Sequence, residues 1–111
     1  MRLRPELVED AHEAFVWYEA VATGLGHEFL RSYFVAVAVA GRRPLIYRRT
    51  YGAFRRVLLG RFPYALYFRV EGRTVVIFLL IHAARDPAMS RRLLRERKAR
   101  GVPEESRSPE D

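Results

Sequence analysis

Two runs, Tyr64 to Glu71 and Thr74 to His82, do most to limit what this chain can become. Both are rich in β-branched and aromatic residues. Only Gly72-Arg73 lies between them, a two-residue link with glycine at its first central position, which suits a tight antiparallel hairpin. Neither run has a polar side. Leu66, Phe68 and Val70 alternate with Ala65 and Tyr67, while Val75, Ile77, Leu79 and Ile81 alternate with Val76, Phe78 and Leu80. Successive side chains on a strand point to opposite faces, so both faces of this hairpin have to leave water. The chain must supply a layer on each side of the sheet, or leave one side for another polypeptide.

A layer for one side precedes the hairpin. From Pro5 to about Ala22, apolar residues fall at Leu7, Ala11, Ala14, Phe15, Tyr18, Val21 and Ala22, the spacing of one helical face, with acids near the N-terminal end where the helix dipole favours them. Thr23-Gly24-Leu25-Gly26 interrupts it. A second helix is predicted from about His27 to Gly41, its stripe formed by Phe29, Leu30, Tyr33, Phe34, Val37 and Ala38. So short a link makes the pair an antiparallel helix hairpin. After Pro44 the period becomes that of strands, and residues 53–60 form a third strand ahead of the other two. Pro63 belongs at a strand entrance.

Asp86-Pro87 is an N-cap and first-turn pair that starts a short C-terminal helix, to which Met89, Leu93 and Leu94 give little to bury. Beyond Arg95 the mixture of charges with Gly101, Pro103, Ser106 and Pro109 predicts a disordered tail. The expected organisation is one domain over residues 1–94 and a charged tail over 95–111. Its class is α+β, with a helix hairpin packed on a small, mainly antiparallel, curved sheet and a short C-terminal helix.

Charge is placed unevenly within the net +7. Residues 1–30 carry two arginines against six carboxylates; residues 31–94 carry thirteen arginines against Glu71 and Asp86. A central segment so positive attracts an acidic protein or a nucleic-acid backbone. There is no cysteine, which removes disulfides, thiolate zinc sites and cysteine nucleophiles together and suits a reducing compartment. Glu6, Glu9 and Asp10 stand where a secretory signal needs an uncharged apolar run, and the nearly apolar stretch Val75 to Ala84 falls well short of the roughly 20 residues of a membrane-spanning helix. A cytoplasmic protein without a membrane partner is expected.

The order Arg55-Arg56 entering a strand, Arg61-Phe62-Pro63-Tyr64 at a turn, and His82-Ala83-Ala84-Arg85-Asp86-Pro87 at the close resembles the ParE-like branch of the RelE/ParE superfamily of bacterial toxins. The helix pair with its Gly24-x-Gly26 and Pro44 fit the same pattern, so the resemblance covers about residues 3–92. Family members usually begin with a full strand, of which only Met1 to Arg4 is present, and carry a tryptophan where this chain has Ser90. The resemblance implies the toxin of a type II toxin–antitoxin module, associated with a cognate acidic antitoxin in a hetero-oligomer. ParE-type relatives poison DNA gyrase. RelE-type relatives cleave messenger RNA on the ribosome by general acid–base chemistry, with a tyrosine or histidine near the C-terminus. No tyrosine or histidine follows His82 here, so the gyrase reading comes first, the ribonuclease second, and a non-toxic antitoxin-binding relative third.

The candidate residues for target or antitoxin binding are Arg55, Arg56, Arg61, Tyr67, Arg85 and Arg91. Arg55 and Arg56 have opposite parity and cannot share a sheet face. Arg85 either binds or pairs with Asp86 or Glu71. Tyr67 either stacks on bases or belongs to the core. In the ribonuclease reading His82 and Arg85 are the catalytic candidates, His82 for its titration near neutrality; otherwise His82 is a structural residue bonded to the backbone. His12 and His27 have no acid at ligand spacing, so neither metal nor cofactor is expected.

Overall fold

A computed structural model describes residues 1–101. The elements run β1 (Arg2–Leu3), α1 (Glu6–Val21), α2 (Leu25–Arg42), a 3-10 turn (Pro44–Ile46), β2 (Arg49–Tyr51), β3 (Phe54–Leu58), β4 (Tyr64–Glu71), β5 (Thr74–His82) and α3 (Pro87–Arg100). The fold is α+β, with two helices on one face of a five-stranded mixed sheet and α3 on the other. Strand order is β1-β5-β4-β3-β2, with β1 parallel to β5 and every other pair antiparallel. At the β4–β5 turn Glu71 faces Thr74 and Gly72 takes φ +63°, as the link between them requires.

The helix hairpin is fastened at its corner. Gly24 reverses the chain at φ +89°, and the Glu19 carboxylate at the end of α1 accepts from the N–H groups of Gly24 and Gly26, both at 2.9 Å, meeting two of the orphan donors at the start of α2. Those hydrogen bonds hold the Glu19 carboxyl below its usual pKa. Gly26 lets the helices close up, since a β-carbon there would lie 2.8 Å from the Phe15 carbonyl oxygen. Leu7 and Ala11 of α1 with Phe29 and Tyr33 of α2 then bury against Leu66, Phe68 and Ile77.

The second face is covered by the chain itself. α3 lays Leu94, 0% exposed, over Phe54, Ala65, Tyr67, Phe78 and Ile81, with Met89 and Leu93 alongside. Full burial of one leucine contributes ~1.5–3 kcal/mol, which corrects the expectation that this helix has little to bury. The helix also outruns its expected end. It continues to Arg100, and Arg97 is buried, so residues 95–100 are structure and not tail; the remainder of the expected tail, 102–111, lies outside the described residues. Among the described residues, both faces of the β4–β5 hairpin are thus covered by the chain's own helices.

A β-bulge in β5 changes which residues share a face. Tyr67 faces Leu79, yet Phe68 faces Ile77, so Phe78 is the extra residue. Leu79 and Ile81 thereby join Val76 and Phe78 on the α3 side, while Leu80 joins Val75 and Ile77 under the helix hairpin. The strict alternation read from the sequence fails at this point. β1 donates its last bond, from Arg4 N–H to Ile77 O at 3.0 Å, leaving the edge of β5 open from the bulge onward. Two side chains take over there: Arg97 Nη1 donates to Phe78 O at 2.8 Å and Asp10 Oδ2 accepts from Leu80 N–H at 3.1 Å. Arg97 and Asp10 join each other in a bidentate pair at 2.7 and 2.9 Å. One ion pair thus closes the sheet edge and ties α1 to α3.

β2, not foreseen from the sequence, pairs with β3 across a two-residue turn in which Gly52 takes φ +55°. It forms the far edge of the sheet.

Candidate anion-binding site

At the end of the sheet where β4 begins and β5 finishes, the N-terminal half of α3 stands clear of β2, β3 and β4. The gap is a cavity of about 240 Å³. Its floor is apolar, from Ala65, Tyr67, Ile81 and Leu94, and its rim carries Arg56 from β3, Arg85 from the β5–α3 turn, Arg91 from α3, and His82. Small side chains at Ala65 and Ser90 leave the space, and among the described residues no carboxylate lines it.

Local structure fixes each group. Arg56 follows Phe54 at the next position of the same parity, so burial of Phe54 against α3 turns Arg56 toward the cavity. Arg85 sits in a turn closed by its own N–H bonding to His82 O at 3.1 Å. Asp86 caps α3 by accepting from Ala88 N–H at 2.9 Å, and Glu71 is engaged by Arg69. Neither carboxylate pairs with Arg85, contrary to one of the two readings of that residue. Arg91 lies over the Tyr51 ring, 5.9 Å from its centroid, and the Tyr51 hydroxyl accepts from Arg95 at 3.1 Å.

Among the described residues Arg56, Arg85 and Arg91 enter no salt bridge. Three uncompensated guanidinium groups around one cavity, beside the positive end of a helix, favour a bound anion. His82 Nδ1 faces the Ala84 N–H at 3.1 Å and so acts as acceptor, which leaves Nε2 as the nitrogen able to carry a proton toward a ligand. The His82 ring meets Tyr64 edge-on at 5.3 Å. Burial pushes the Tyr64 phenol above its usual pKa; the charge of Arg85 opposes this. A second cleft of about 170 Å³, between α1 and α3, shares His82 and Arg85, so these two residues stand on the ridge between the cavities.

Five of the seven candidate residues therefore come together: Arg56, Tyr67, His82, Arg85 and Arg91. No family model matches the sequence, and no curated protein matches it. The remaining two candidates lie on the other side of the sheet. Arg55 donates to Tyr47 O beneath the helix hairpin. Arg61, at φ +70° in the β3–β4 turn, reaches Glu28 of α2 at 3.5 Å. Tyr67 is buried, offering the cavity only part of its ring. Thr50 and Tyr51 line the cavity without having been singled out, and Ser90, noted only as the position where relatives carry a tryptophan, lines it too. A signal for Tyr51 existed in Arg49-Thr50-Tyr51-Gly52, a short β-favouring run ending at a turn glycine.

Proposed function

We propose that this chain is the growth-inhibiting toxin of a type II toxin–antitoxin pair of the RelE/ParE kind, acting in the cytoplasm on DNA gyrase and silenced by an acidic antitoxin. The observation that carries the reading is the set of three arginines, without carboxylate partners among the described residues, gathered round one cavity from β3, the β5–α3 turn and α3. The double arginine and the His-x-x-Arg-Asp-Pro segment that prompted the resemblance each contribute to that rim. An acidic segment of the antitoxin enters the cavity and neutralises it, so the complex weakens as salt rises. Gyrase is favoured over RNA because among the described residues no carboxylate lines the cavity to serve as a base, and because Tyr67 is 8% exposed.

The ribonuclease reading keeps one point in its favour: His82, with Nε2 uncommitted, shares the cavity with the three guanidinium groups that would hold a phosphate. Induction in a bacterial host, with gyrase supercoiling and ribosomal mRNA cleavage assayed on the purified chain, separates the cases. Growth arrest with supercoiling blocked and mRNA intact is the expected result. Cleavage lost in His82→Ala would move the assignment to the ribonuclease. Normal growth on strong induction removes toxicity altogether and leaves an antitoxin-binding protein.

A further inference from the structure

A second surface, on the helix-hairpin side of the sheet, has the build of a docking groove. It runs between α2 and the β3–β4 turn and encloses about 400 Å³. One wall is the outer stripe of α2, where Arg31, Val35 and Val39 succeed one another at turn spacing and Arg42 follows. The other wall is Leu58, Gly60 and Arg61, held to the helix by the Ser32 hydroxyl donating to Gly60 O at 2.6 Å. Val35 is 63% and Leu58 56% exposed. Single exposed apolar residues need no explanation, but a fixed apolar trough between two walls does.

Charge at the groove says what fits it. Arg31 and Arg61 line it, and Arg42, three residues beyond Val39 on the same stripe of α2, is exposed; among the described residues Glu28 is the one carboxylate in the lining. Glu28 reaches Arg61 only at 3.5 Å, with the Arg61 side chain 70% exposed, so that pair is easily exchanged for a partner's carboxylate. From Arg31 to Arg42 the helix rises roughly 16 Å, the length of three turns. We propose that this groove binds an acidic amphipathic helix of a partner protein, its apolar stripe on Val35 and Leu58 and its carboxylates on Arg31 and Arg42. The inference does not rest on the toxin reading, because the groove shares no lining residue with the anion-binding cavity.

The test is selection of a displayed random library of peptides about twelve residues long, three helical turns, on the full chain. Recovered peptides are then titrated by fluorescence anisotropy. Winners should combine carboxylates with apolar residues spaced three and four apart, and Val35→Glu or Leu58→Glu should weaken them about tenfold or more. Arg31→Glu should weaken them and flatten their salt dependence. Circular dichroism checks that each variant is folded, and Val35→Ala with Leu58→Ala replaces any that is not. Failure to enrich a binder, winners without acidic residues, or affinity unmoved by the changes at Val35 and Leu58 would each overturn the proposal.

Discussion

Replacing Arg97 by alanine should be among the most damaging single changes in this chain, although the residue sits in a highly charged stretch. The guanidinium makes two bonds to Asp10 and one to Phe78 O, and the side chains of Arg97 and Asp10 are only 10% and 13% exposed. Its removal strands a buried carboxylate and an unpaired carbonyl at the bulge. Breaking one side of such a pair costs about 3–5 kcal/mol, a large part of the total stability of a small domain. Arg92 is the internal control: its contact with Glu96 is 3.8 Å long and both side chains are about half exposed, so Arg92→Ala should cost no more than ~0.5 kcal/mol. Urea unfolding followed by far-ultraviolet circular dichroism is the assay, because Trp17 is 64% exposed and reports poorly on the core. The midpoint should fall sharply for Arg97→Ala with little change in slope. Asp10→Ala/Arg97→Ala should lose less than the sum of the two single variants, since the second change removes the charge that the first left stranded. A loss below about 1 kcal/mol in Arg97→Ala, or strict additivity in the cycle, would show that the pair does not close the sheet edge as described.

Three further outcomes are expected. Gly26→Ala should destabilise the helix hairpin by about 1–3 kcal/mol by overpacking, because its β-carbon would meet the Phe15 backbone, which cannot rotate away; thermal unfolding measures this. On the proposed toxin reading, Arg56→Glu with Arg85→Glu should abolish growth arrest and antitoxin binding while leaving the unfolding midpoint nearly unchanged; retention of both would remove the cavity from that reading. At acid pH, burial acts to raise the Glu6 carboxyl, yet the hydrogen bonds and charge of Arg4, helped by Arg97, bring it below its ordinary 4.5. A lowered pKa in the folded state contributes stability that is complete above 4.5 and lost as pH falls through the lower folded value, so Glu6→Gln should flatten the acid limb of a stability–pH curve between 4.5 and that lower value and leave its neutral limb parallel to wild type.

The long periodic elements were legible because their signals are local. The turn at Gly72-Arg73 and the stripe of α2 each sit within a few residues, and the opposite orientation of Arg55 and Arg56 follows from adjacency on a strand. The bulge was not legible, because Val75 to Ile81 is apolar throughout and nothing in an unbroken run marks the surplus residue. α3 was underestimated for a related reason. Arg97 reads as one solvated charge among many until it is placed beside Asp10, 87 positions away, and Leu94 reads as isolated until Phe54 and Phe78 surround it. At the cavity, Arg56 and Arg85 were legible through the double arginine and the His-x-x-Arg-Asp-Pro segment, whereas Arg61, at a φ of +70° in the β3–β4 turn, pairs with Glu28 on the far side, a contact between residues 33 positions apart.

The clasp between Asp10 and Arg97 has a consequence for how the molecule comes into being. A nascent chain that has released α1, α2 and most of the sheet still lacks the guanidinium that seals the edge of β5 and the helix that walls one side of the cavity. Synthesis proceeds at a pace of seconds for a chain of this length, so for that interval the emerging sheet keeps an unsealed rim. The cavity gains its second wall with the first turns of α3, at Ser90, Arg91 and Leu94, and the edge of β5 is sealed only when the last turns, with Arg97, have left the ribosome.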